Sequence, residues 1–466
     1  MTTNEMPTLL TRRNFLGASA CSAMSTAGLL NTLLTLRTIN AYAQDVPGDS
    51  YKAIVCIFLF GGNDSNNLAL PRETSAHAKY LASRTVVGIP QAQILPLNSL
   101  NDNGMQIGLH PSMIGCQDLY NAGKLALLTN VGTLVAPATL QDYRNNSAAI
   151  PQNLFSHSDQ QMAWQTSAYS MDAAHRRTGW GARMAEAIMS SQGTTSISML
   201  VSLSGTNFFQ TGSTLLPFRP GPGGTPTFKL GQSSRTQDVT RYTAFRNVLN
   251  TEYANLMEDA FADLSSQSII EADTINTALQ GTSTFPMIPT TGLGEQLRTV
   301  ARLVQASGPL GMKRQIFFCA TGGFDTHGPQ LAAQANLLGG ISTAMKGFQD
   351  ALDSIGKGAN VTTFTASDFN RTFDSNGQGT DHGWGGHHMV MGGSVNGQRL
   401  YGSFPDPDIT TAGNPLDTGR GRWVPTTSVD QYAATMAKWF GLSDSQIRDV
   451  LPTITNFTPN LGFMKA

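Results

Sequence analysis

The fold of this chain is decided by residues 52–64, whose sequence is KAIVCIFLFGGND. An apolar run of this length that ends in Gly-Gly-Asn-Asp is typical of a strand buried on both faces and followed by a tight turn. Similar runs predict strands over residues 125–131, 196–203, 315–320 and 361–366, and another that starts at residues 389–391. Helical patterns lie between them, over residues 155–188, 238–264, 293–306, 331–355 and 430–439. This alternation predicts an α/β fold with a parallel, doubly wound sheet.

Acidic residues and a histidine follow these predicted strands. They are Asp64, Asp325, His327 and Asp368. In a doubly wound sheet, binding sites form beyond the carboxyl ends of the strands. We therefore expect these side chains to lie along one edge of the sheet.

The loop at residues 379–388, GTDHGWGGHH, has the strongest local signal for metal binding. It contains Asp381 and three of the eight histidines, His382, His387 and His388. A glycine-rich loop with this many histidines is a poor core segment and has no amphipathic pattern, so packing does not explain it. Carboxylates neutralise a divalent cation, and imidazole favours zinc-like metals over calcium or magnesium. The pattern predicts a hydrolytic metal centre in preference to a solvated loop.

The other candidate residues each have a structural interpretation as well. Asp64, Asp325 and Asp368 are each suited to cap a turn or the start of a helix. Arg371 is either a surface salt-bridge partner or a planar donor fork that grips a phosphate, sulfate or carboxylate. Ser156 is either a helix N-cap or a nucleophile whose alkoxide the helix dipole favours. The residues alone leave these alternatives open.

The composition excludes some classes of function. The chain has 466 residues, of which 13% are charged, and its formal net charge is -1 at pH 7. This balance gives no electrostatic reason to expect binding to nucleic acid or to an anionic membrane. Residues 44–466 are predicted to form one α/β domain. Residues 205–236, rich in Gly, Pro, Ser and Thr, are predicted to be an excursion over one edge of the sheet.

The N-terminal residues have the pattern of an export signal. Residues 11–16, TRRNFL, form a twin-arginine pattern, a weakly apolar run follows to Leu36, and residues 41–43, AYA, fit a cleavage site. A membrane anchor is the alternative, but Ser, Thr and Asn interrupt the apolar run, so no stable membrane span is expected. Residues 1–43 are therefore predicted to be a cleaved signal. The twin-arginine translocase would export the folded protein to the periplasm or the exterior.

Short motifs distributed over residues 51–402 carry a resemblance to a known family. They are FLFGGND (58–64), LHP (109–111), SH (156–157), TGW (178–180), GFDTH (323–327), SDFNRT (367–372) and GTDHG (379–383). Together with the twin-arginine leader, they resemble the domain of unknown function 1501 family. That family looks like a member of the alkaline phosphatase and sulfatase superfamily. The resemblance implies a three-layer, alkaline-phosphatase-like α/β/α sandwich that binds one or two divalent metal ions, with zinc favoured.

The resemblance also implies roles for individual positions. Asp64 matches the metal ligand after the first strand, and Ser156 matches the nucleophile. Asp325 and His327 match the paired ligands of one metal. The remaining ligand of that metal would come from the loop histidines, His382, His387 or His388.

The chain departs from the superfamily pattern at two points. Asp368 matches a ligand of a second metal, but Phe369 stands where the superfamily usually has a histidine. Asp381 or a loop histidine would have to supply the lost ligand. The chain also has no Cys-x-Pro-x-Arg segment, which excludes a sulfatase that converts cysteine to formylglycine.

These observations lead to one main functional hypothesis. The chain is predicted to be an exported, metal-dependent hydrolase of phosphate or sulfate esters, acting on a small molecule or a polymer. The alternative is a non-catalytic envelope protein that uses the same edge of the sheet to bind a polymer or a partner. An oxidoreductase with a histidine-rich metal site is a third possibility, disfavoured because we find no nucleotide or haem motif.

Overall fold

The structure is a computed structural model that describes residues 50–101, 105–169, 178–192, 195, 197–220, 231, 233–410 and 413–465. The predicted signal at residues 1–43 lies outside the described residues, as do residues 221–230 and 232 of the predicted excursion. The described part of the excursion lies beside the strand at Leu200–Ser202, where Phe218 pairs with Val201. Among the described residues, no helix is long and apolar enough to cross a membrane.

The strands form two sheets. The larger sheet contains β1 (Lys52–Leu59), β5 (Leu125–Gly132), β6 (Leu200–Ser202), β7 (Arg314–Thr321), β8 (Val361–Ser367), β9 (Gly386–Met391), β10 (Leu400–Tyr401) and β11 (Thr427–Ser428). The smaller sheet contains β2 (Ala69–Pro71), β3 (Leu95–Pro96) and β4 (Ile107–Leu109). The order in the larger sheet is β10-β5-β9-β8-β1-β7-β6, and β11 also pairs with β5. All of its pairs are parallel except those that β9 makes with β5 and β8.

β1 lies between β7 and β8, and every residue of it except Lys52 is buried. This agrees with the apolar run, because a strand covered on both faces needs apolar side chains on both. Leu59 pairs with Thr321 of β7 and with Ser367 of β8. The three parallel strands therefore end at the same edge, which we call the carboxyl edge.

Helices cover both faces of the larger sheet. On one face, α2 (Ile114–Asn121) and α8 (Gly292–Gln305) each pack against α9 (Gln330–Ser354). On the other face lie α4 (His157–Thr166), α5 (Trp180–Gln192), α10 (Val429–Phe440) and α11 (Asp444–Val450). The remaining helices are α1 (Thr74–Arg84), α3 (Leu140–Arg144), α6 (Thr236–Leu249) and α7 (Leu256–Gln280). The predicted three-layer α/β/α class with a mostly parallel sheet is confirmed.

Two elements differ from the sequence prediction. The last long strand, β9, begins at Gly386 and so includes His387 and His388, which were predicted to precede it. The single helix predicted over residues 238–264 is two helices, because Asn255 caps a new one: its side chain accepts a hydrogen bond from the backbone N–H of Met257.

Candidate metal centre

Two glycines after β1 bring the loops at the carboxyl edge together. Gly61 and Gly62 have φ values of 112° and 80°. A Cβ at Gly61 would lie 2.5 Å from the backbone nitrogen of Asp325, and one at Gly62 would lie 2.4 Å from the Phe369 ring. Glycine therefore meets both requirements here, a left-handed backbone and a close approach. The loops after β1, β7 and β8 consequently share one small volume.

Three histidines at this edge are each held through Nδ1. His157 donates to Asp368 Oδ2 (2.7 Å), His327 to Asp381 Oδ1 (3.0 Å) and His382 to the backbone carbonyl of Phe155 (2.8 Å). Carboxylate and carbonyl oxygens only accept hydrogen bonds, so Nδ1 carries the proton in each ring. In the neutral imidazole, Nε2 then carries the lone pair. Metal-binding histidines are usually fixed by hydrogen bonds of this kind.

Two of these Nε2 atoms converge on one oxygen of Asp325. Asp325 Oδ1 lies 3.0 Å from His327 Nε2 and 3.2 Å from His382 Nε2, and the two nitrogens are 3.2 Å apart. Neighbouring ligands of a tetrahedral zinc ion are about 3.4 Å apart when each lies about 2.1 Å from the metal. Lone pairs at these separations repel one another unless a cation lies between them. The donor set therefore fits a zinc-like ion.

His157 approaches Asp325 from the other side. Its Nε2 lies 3.7 Å from Asp325 Oδ2. Ligand atoms of His157, Asp325 and His382 all lie within 4.8 Å of one another, which is close enough for them to share a metal ion. Burial lowers the pKa of His382, which favours the neutral, metal-binding form of that imidazole.

Asp381 fixes the His327 ring through Nδ1, the nitrogen that does not face Asp325. Its Oδ1 accepts from His327 Nδ1 and from Asn376 Nδ2 (3.1 Å), and its Oδ2 accepts from Arg420 Nη1 (2.6 Å). Burial raises the pKa of Asp381, but the hydrogen bonds from Arg420, Asn376 and His327 outweigh it, and the pKa lies well below its usual range. The carboxylate stays ionised and fixes the orientation of His327.

Asp368 holds His157 in the same manner. It is fully buried, and its Oδ2 accepts hydrogen bonds from Gly61 N (3.2 Å), His157 Nδ1 (2.7 Å) and Gln161 Nε2 (2.9 Å). Asp368 Oδ1 has no hydrogen-bond partner among the described residues. One carboxylate oxygen is thus engaged in positioning His157, and the other is buried without a hydrogen-bond partner among the described residues.

Arg371 is fully buried and uses its donors within the protein. Nη1 donates to Asp325 Oδ1 (2.5 Å) and to the carbonyl of Gly61 (3.3 Å). Nε donates to Thr380 Oγ1 (3.3 Å), and Nη2 donates to the carbonyl of Thr380. Burial raises the pKa of Asp325, but the hydrogen bond and charge of Arg371 outweigh it and lower that pKa. Arg371 therefore forms a salt bridge, as one interpretation predicted, but it is buried and not at the surface. Its donors are taken by Asp325, Gly61 and Thr380, which corrects the expectation that its fork grips a substrate oxyanion.

The sequence profile of a family described as Protein of unknown function (DUF1501) matches residues 51–447. The chain belongs to the DUF1501 family. Similar solved structures include Ps i-CgsB in complex with k-i-k-neocarrahexaose (11% identity, TM-score 0.34, 88% of this chain and 77% of that chain). Another is the PsFucS1 sulfatase from Pseudoalteromonas sp. (10% identity, TM-score 0.32, 94% of this chain and 73% of that chain). No curated protein matches the chain.

In this member of the DUF1501 family, Asp64 faces away from the histidines. Its carboxylate forms an ion pair with Arg84, both side chains being fully buried, and accepts a hydrogen bond from Gln330. Arg84 also donates to the carbonyls of Thr372 (3.0 Å) and Phe373 (3.1 Å). The structure therefore corrects the expectation that Asp64 is a metal ligand. The carboxylate serves to tie the turn after β1 to α1 and to the loop after β8.

His387 and His388 also lie away from the centre. His387 Nδ1 accepts from the backbone N–H of Asn130 (3.1 Å), and the ring stacks on Phe404 with centroids 4.5 Å apart. The His388 ring packs against Trp164 at 4.7 Å. Burial lowers the pKa of both histidines to about 3. This corrects their prediction as ligands, because antiparallel β9 carries both side chains from the carboxyl edge into the core.

Ser156 lies directly beside the centre in the chain. It occupies the N-cap position of α4 but makes no side-chain cap bond; its Oγ donates to Asp159 Oδ2 (2.6 Å). Its neighbours are Phe155, whose carbonyl holds His382, and His157. The nucleophilic role of Ser156 stays a prediction.

Sequence reasoning did not select His157 or Phe369 as site residues. The Phe369 ring centroid lies 4.9 Å from that of His157 and 4.5 Å from that of His382, so it packs against both imidazoles. Phe369 thus supports two histidines of the candidate centre. The sequence signal for His157 is its place in the Ser-His motif at the start of a helix.

Proposed function

We propose that this protein is an exported, metal-dependent hydrolase of phosphate or sulfate esters. The observation that carries the proposal is the set of three imidazoles, each fixed through Nδ1, whose Nε2 atoms face Asp325. Asp325 and His327 are exposed, so the set is open to a ligand from solvent. Export is supported by the twin-arginine pattern at residues 11–16.

Asp325, His327 and His382 are the proposed ligands. Three protein ligands leave one position of a tetrahedral ion open, as in catalytic zinc sites, whereas structural sites use four. When bound, such an ion polarises an ester oxygen and lowers the pKa of a bound water. Arg371 keeps Asp325 ionised and in place, because its buried guanidinium donates to the same Oδ1 that faces the two nitrogens.

His157 is the residue proposed to move a proton. Its Nδ1 donates to Asp368, and its Nε2 lies at the edge of the ligand set, 3.7 Å from Asp325 Oδ2. An imidazole fixed by a carboxylate in this way accepts or delivers a proton at Nε2. The attacking group is Ser156 or a water molecule; Ser156 Oγ already donates to the Asp159 carboxylate.

Metal analysis combined with an ester assay tests the proposal. We expect about one equivalent of a divalent metal per chain and turnover of p-nitrophenyl phosphate or p-nitrophenyl sulfate. Asp325→Ala should lose both the metal and the activity. Asp350→Ala should lose neither, because the Asp350 side chain is 42% exposed and pairs with Lys346 on α9.

The variant His157→Gln separates proton transfer from metal binding. We expect it to retain the metal and lose turnover, whereas loss of the metal would make His157 a ligand alongside Asp325 and His382. A metal-free Asp325→Ala variant with full activity would contradict the proposal. Wild-type protein with neither metal nor turnover would favour the non-catalytic envelope protein instead.

A further inference from the structure

Three arginines surround the candidate centre, and their charges are neutralised to different extents. Arg371 pairs with Asp325 (2.5 Å). Arg420 donates from Nε to Asp374 Oδ2 (3.1 Å) and from Nη1 to Asp381 Oδ2 (2.6 Å). Arg422 has no carboxylate partner among the described residues. Of the three, Arg422 is the one whose charge no described carboxylate compensates.

Arg422 is nevertheless fixed in place. Its Nε donates to the backbone carbonyl of His382 (2.9 Å), and its Cζ lies 4.8 Å from the centroid of the Phe155 ring. Phe155 in turn accepts the Nδ1 hydrogen bond of His382 through its own carbonyl. Both contacts of Arg422 are therefore with residues that define the position of a proposed metal ligand.

The outer edge of this guanidinium makes no hydrogen bond to any residue that the structure describes. Within the described part of the chain, Nη1 and Nη2 of Arg422 have no hydrogen-bond partner. The side chain is half-buried, and neither nitrogen is among the fully buried atoms that lack a partner. A guanidinium that is already stacked and anchored loses little conformational entropy when it binds. Two parallel N–H donors match two oxygens of a phosphate or sulfate group.

We infer that Arg422 binds the tetrahedral oxyanion of the substrate next to the metal centre. This inference rests on the proposed function and assigns to Arg422 the substrate contact that the sequence suggested for Arg371. It restricts the substrate to esters that present at least two oxyanion oxygens beside His382. Lysine would not replace Arg422, since an ammonium group can neither stack flat on Phe155 nor donate two parallel hydrogen bonds.

Binding of inorganic phosphate and sulfate to the zinc-loaded protein tests the inference by calorimetry. We expect Arg422→Gln to weaken oxyanion binding at least about tenfold, as the loss of a charged bidentate contact. Zinc stoichiometry should stay at about one equivalent, because Arg422 contacts the backbone of His382 and not its Nε2 atom. Arg422→Lys should also weaken binding, and it serves as the second variant if the glutamine protein folds poorly. Arg241→Gln is the matched control, because Arg241 is 69% exposed on α6 and pairs with Asp238 at 3.7 Å.

The outcomes separate this inference from the proposed function. Unchanged oxyanion affinity in Arg422→Gln, or no oxyanion binding by the zinc-loaded wild type, overturns the role of Arg422. If the wild type hydrolyses the ester and Arg422→Gln does so with an unchanged KM, the role of Arg422 is also overturned. The hydrolase proposal stands in that case. Oxyanion binding that depends on Arg422 in a protein that hydrolyses no ester supports the role of Arg422 and counts against the hydrolase.

Discussion

The substitution Asp381→Asn tests whether metal binding depends on how His327 is held. Asp381 Oδ1 accepts from His327 Nδ1 (3.0 Å), and its Oδ2 accepts from Arg420 Nη1 (2.6 Å). Asparagine keeps the size of the side chain, but one of its two terminal atoms donates and does not accept. If Arg420 takes the remaining oxygen, the amide N–H faces His327 Nδ1 and favours the wrong tautomer. His327 then no longer presents an Nε2 lone pair beside Asp325.

The expected loss follows from this geometry. Removing a carboxylate that orients a metal-binding histidine weakens metal affinity by about 10- to 100-fold. This corresponds to about 1.4–2.7 kcal/mol of binding free energy. We expect the upper part of this range, because Arg420 and His327 now compete for one acceptor oxygen where Asp381 offered two. The ionised form of Asp381, which its lowered pKa maintains, also contributes negative charge that attracts the cation.

Asp374→Asn is the matched control. Asp374 accepts from Nε of the same Arg420 (3.1 Å), and within the described residues it makes no hydrogen bond to a histidine. Zinc affinity is measured by competition with a chromophoric chelator at one pH for both variants. Asp381→Asn should bind zinc more weakly than Asp374→Asn, because each variant loses one negative charge but only Asp381→Asn also loses the hydrogen bond that orients His327. Equal losses in the two variants, or full affinity in Asp381→Asn, would refute the argument that the orientation of His327 matters.

Two further predictions concern stability. Gly62→Ala should lower the free energy of unfolding by about 1–3 kcal/mol more than Gly123→Ala in urea titrations. Both glycines have positive φ (80° and 72°), but only the Cβ at position 62 would meet the Phe369 ring, so equal losses would contradict the packing argument. Burial lowers the pKa of His388 to about 3, so the unfolded chain, with a pKa of about 6.5, binds the proton first as the pH falls. Stability should therefore decrease between pH 6.5 and 3, by up to about 1.4 kcal/mol per pH unit for this group. His388→Phe should make that decrease shallower, and an unchanged slope would show the prediction to be wrong.

The parts of the centre that the sequence predicted are those fixed by strand ends. Asp325, His327 and Asp368 follow apolar runs that form parallel neighbours of β1, and the pairing of Leu59 with Thr321 and Ser367 aligns those ends. A residue that directly follows a parallel strand lies at the carboxyl edge of the sheet. The end of the apolar run shows where that strand ends, so this placement can be predicted from local sequence. His382 precedes β9, which runs antiparallel and therefore starts at the same edge.

The parts that the sequence did not predict depend on long-range partners and on strand direction. Asp64 follows β1 as expected, but its carboxylate turns towards Arg84 and Gln330, which are distant in the chain. The pattern around His387 and His388 does not reveal where β9 starts or that it is antiparallel. The position of His157 depends on the packing of α4 on β8, which no local pattern shows.

The charges around the centre couple binding of the proposed cation to binding of the proposed oxyanion. We count only Asp325, the carboxylates that accept from its neighbouring histidines (Asp368 and Asp381), and the ion-pair partners of this set. Counted as ionised, Asp325, Asp368, Asp374 and Asp381 give -4, and Arg371 and Arg420, which pair with three of them, give +2. With neutral imidazoles the sum is -2, which one divalent cation brings to zero. Arg422, with no carboxylate partner in the described residues, then leaves +1 for an oxyanion. Without the cation the same sum, with Arg422 included, is -1, and an anionic ester would be repelled. Cation and oxyanion should therefore strengthen each other's binding by the same factor, because coupling between two sites is reciprocal.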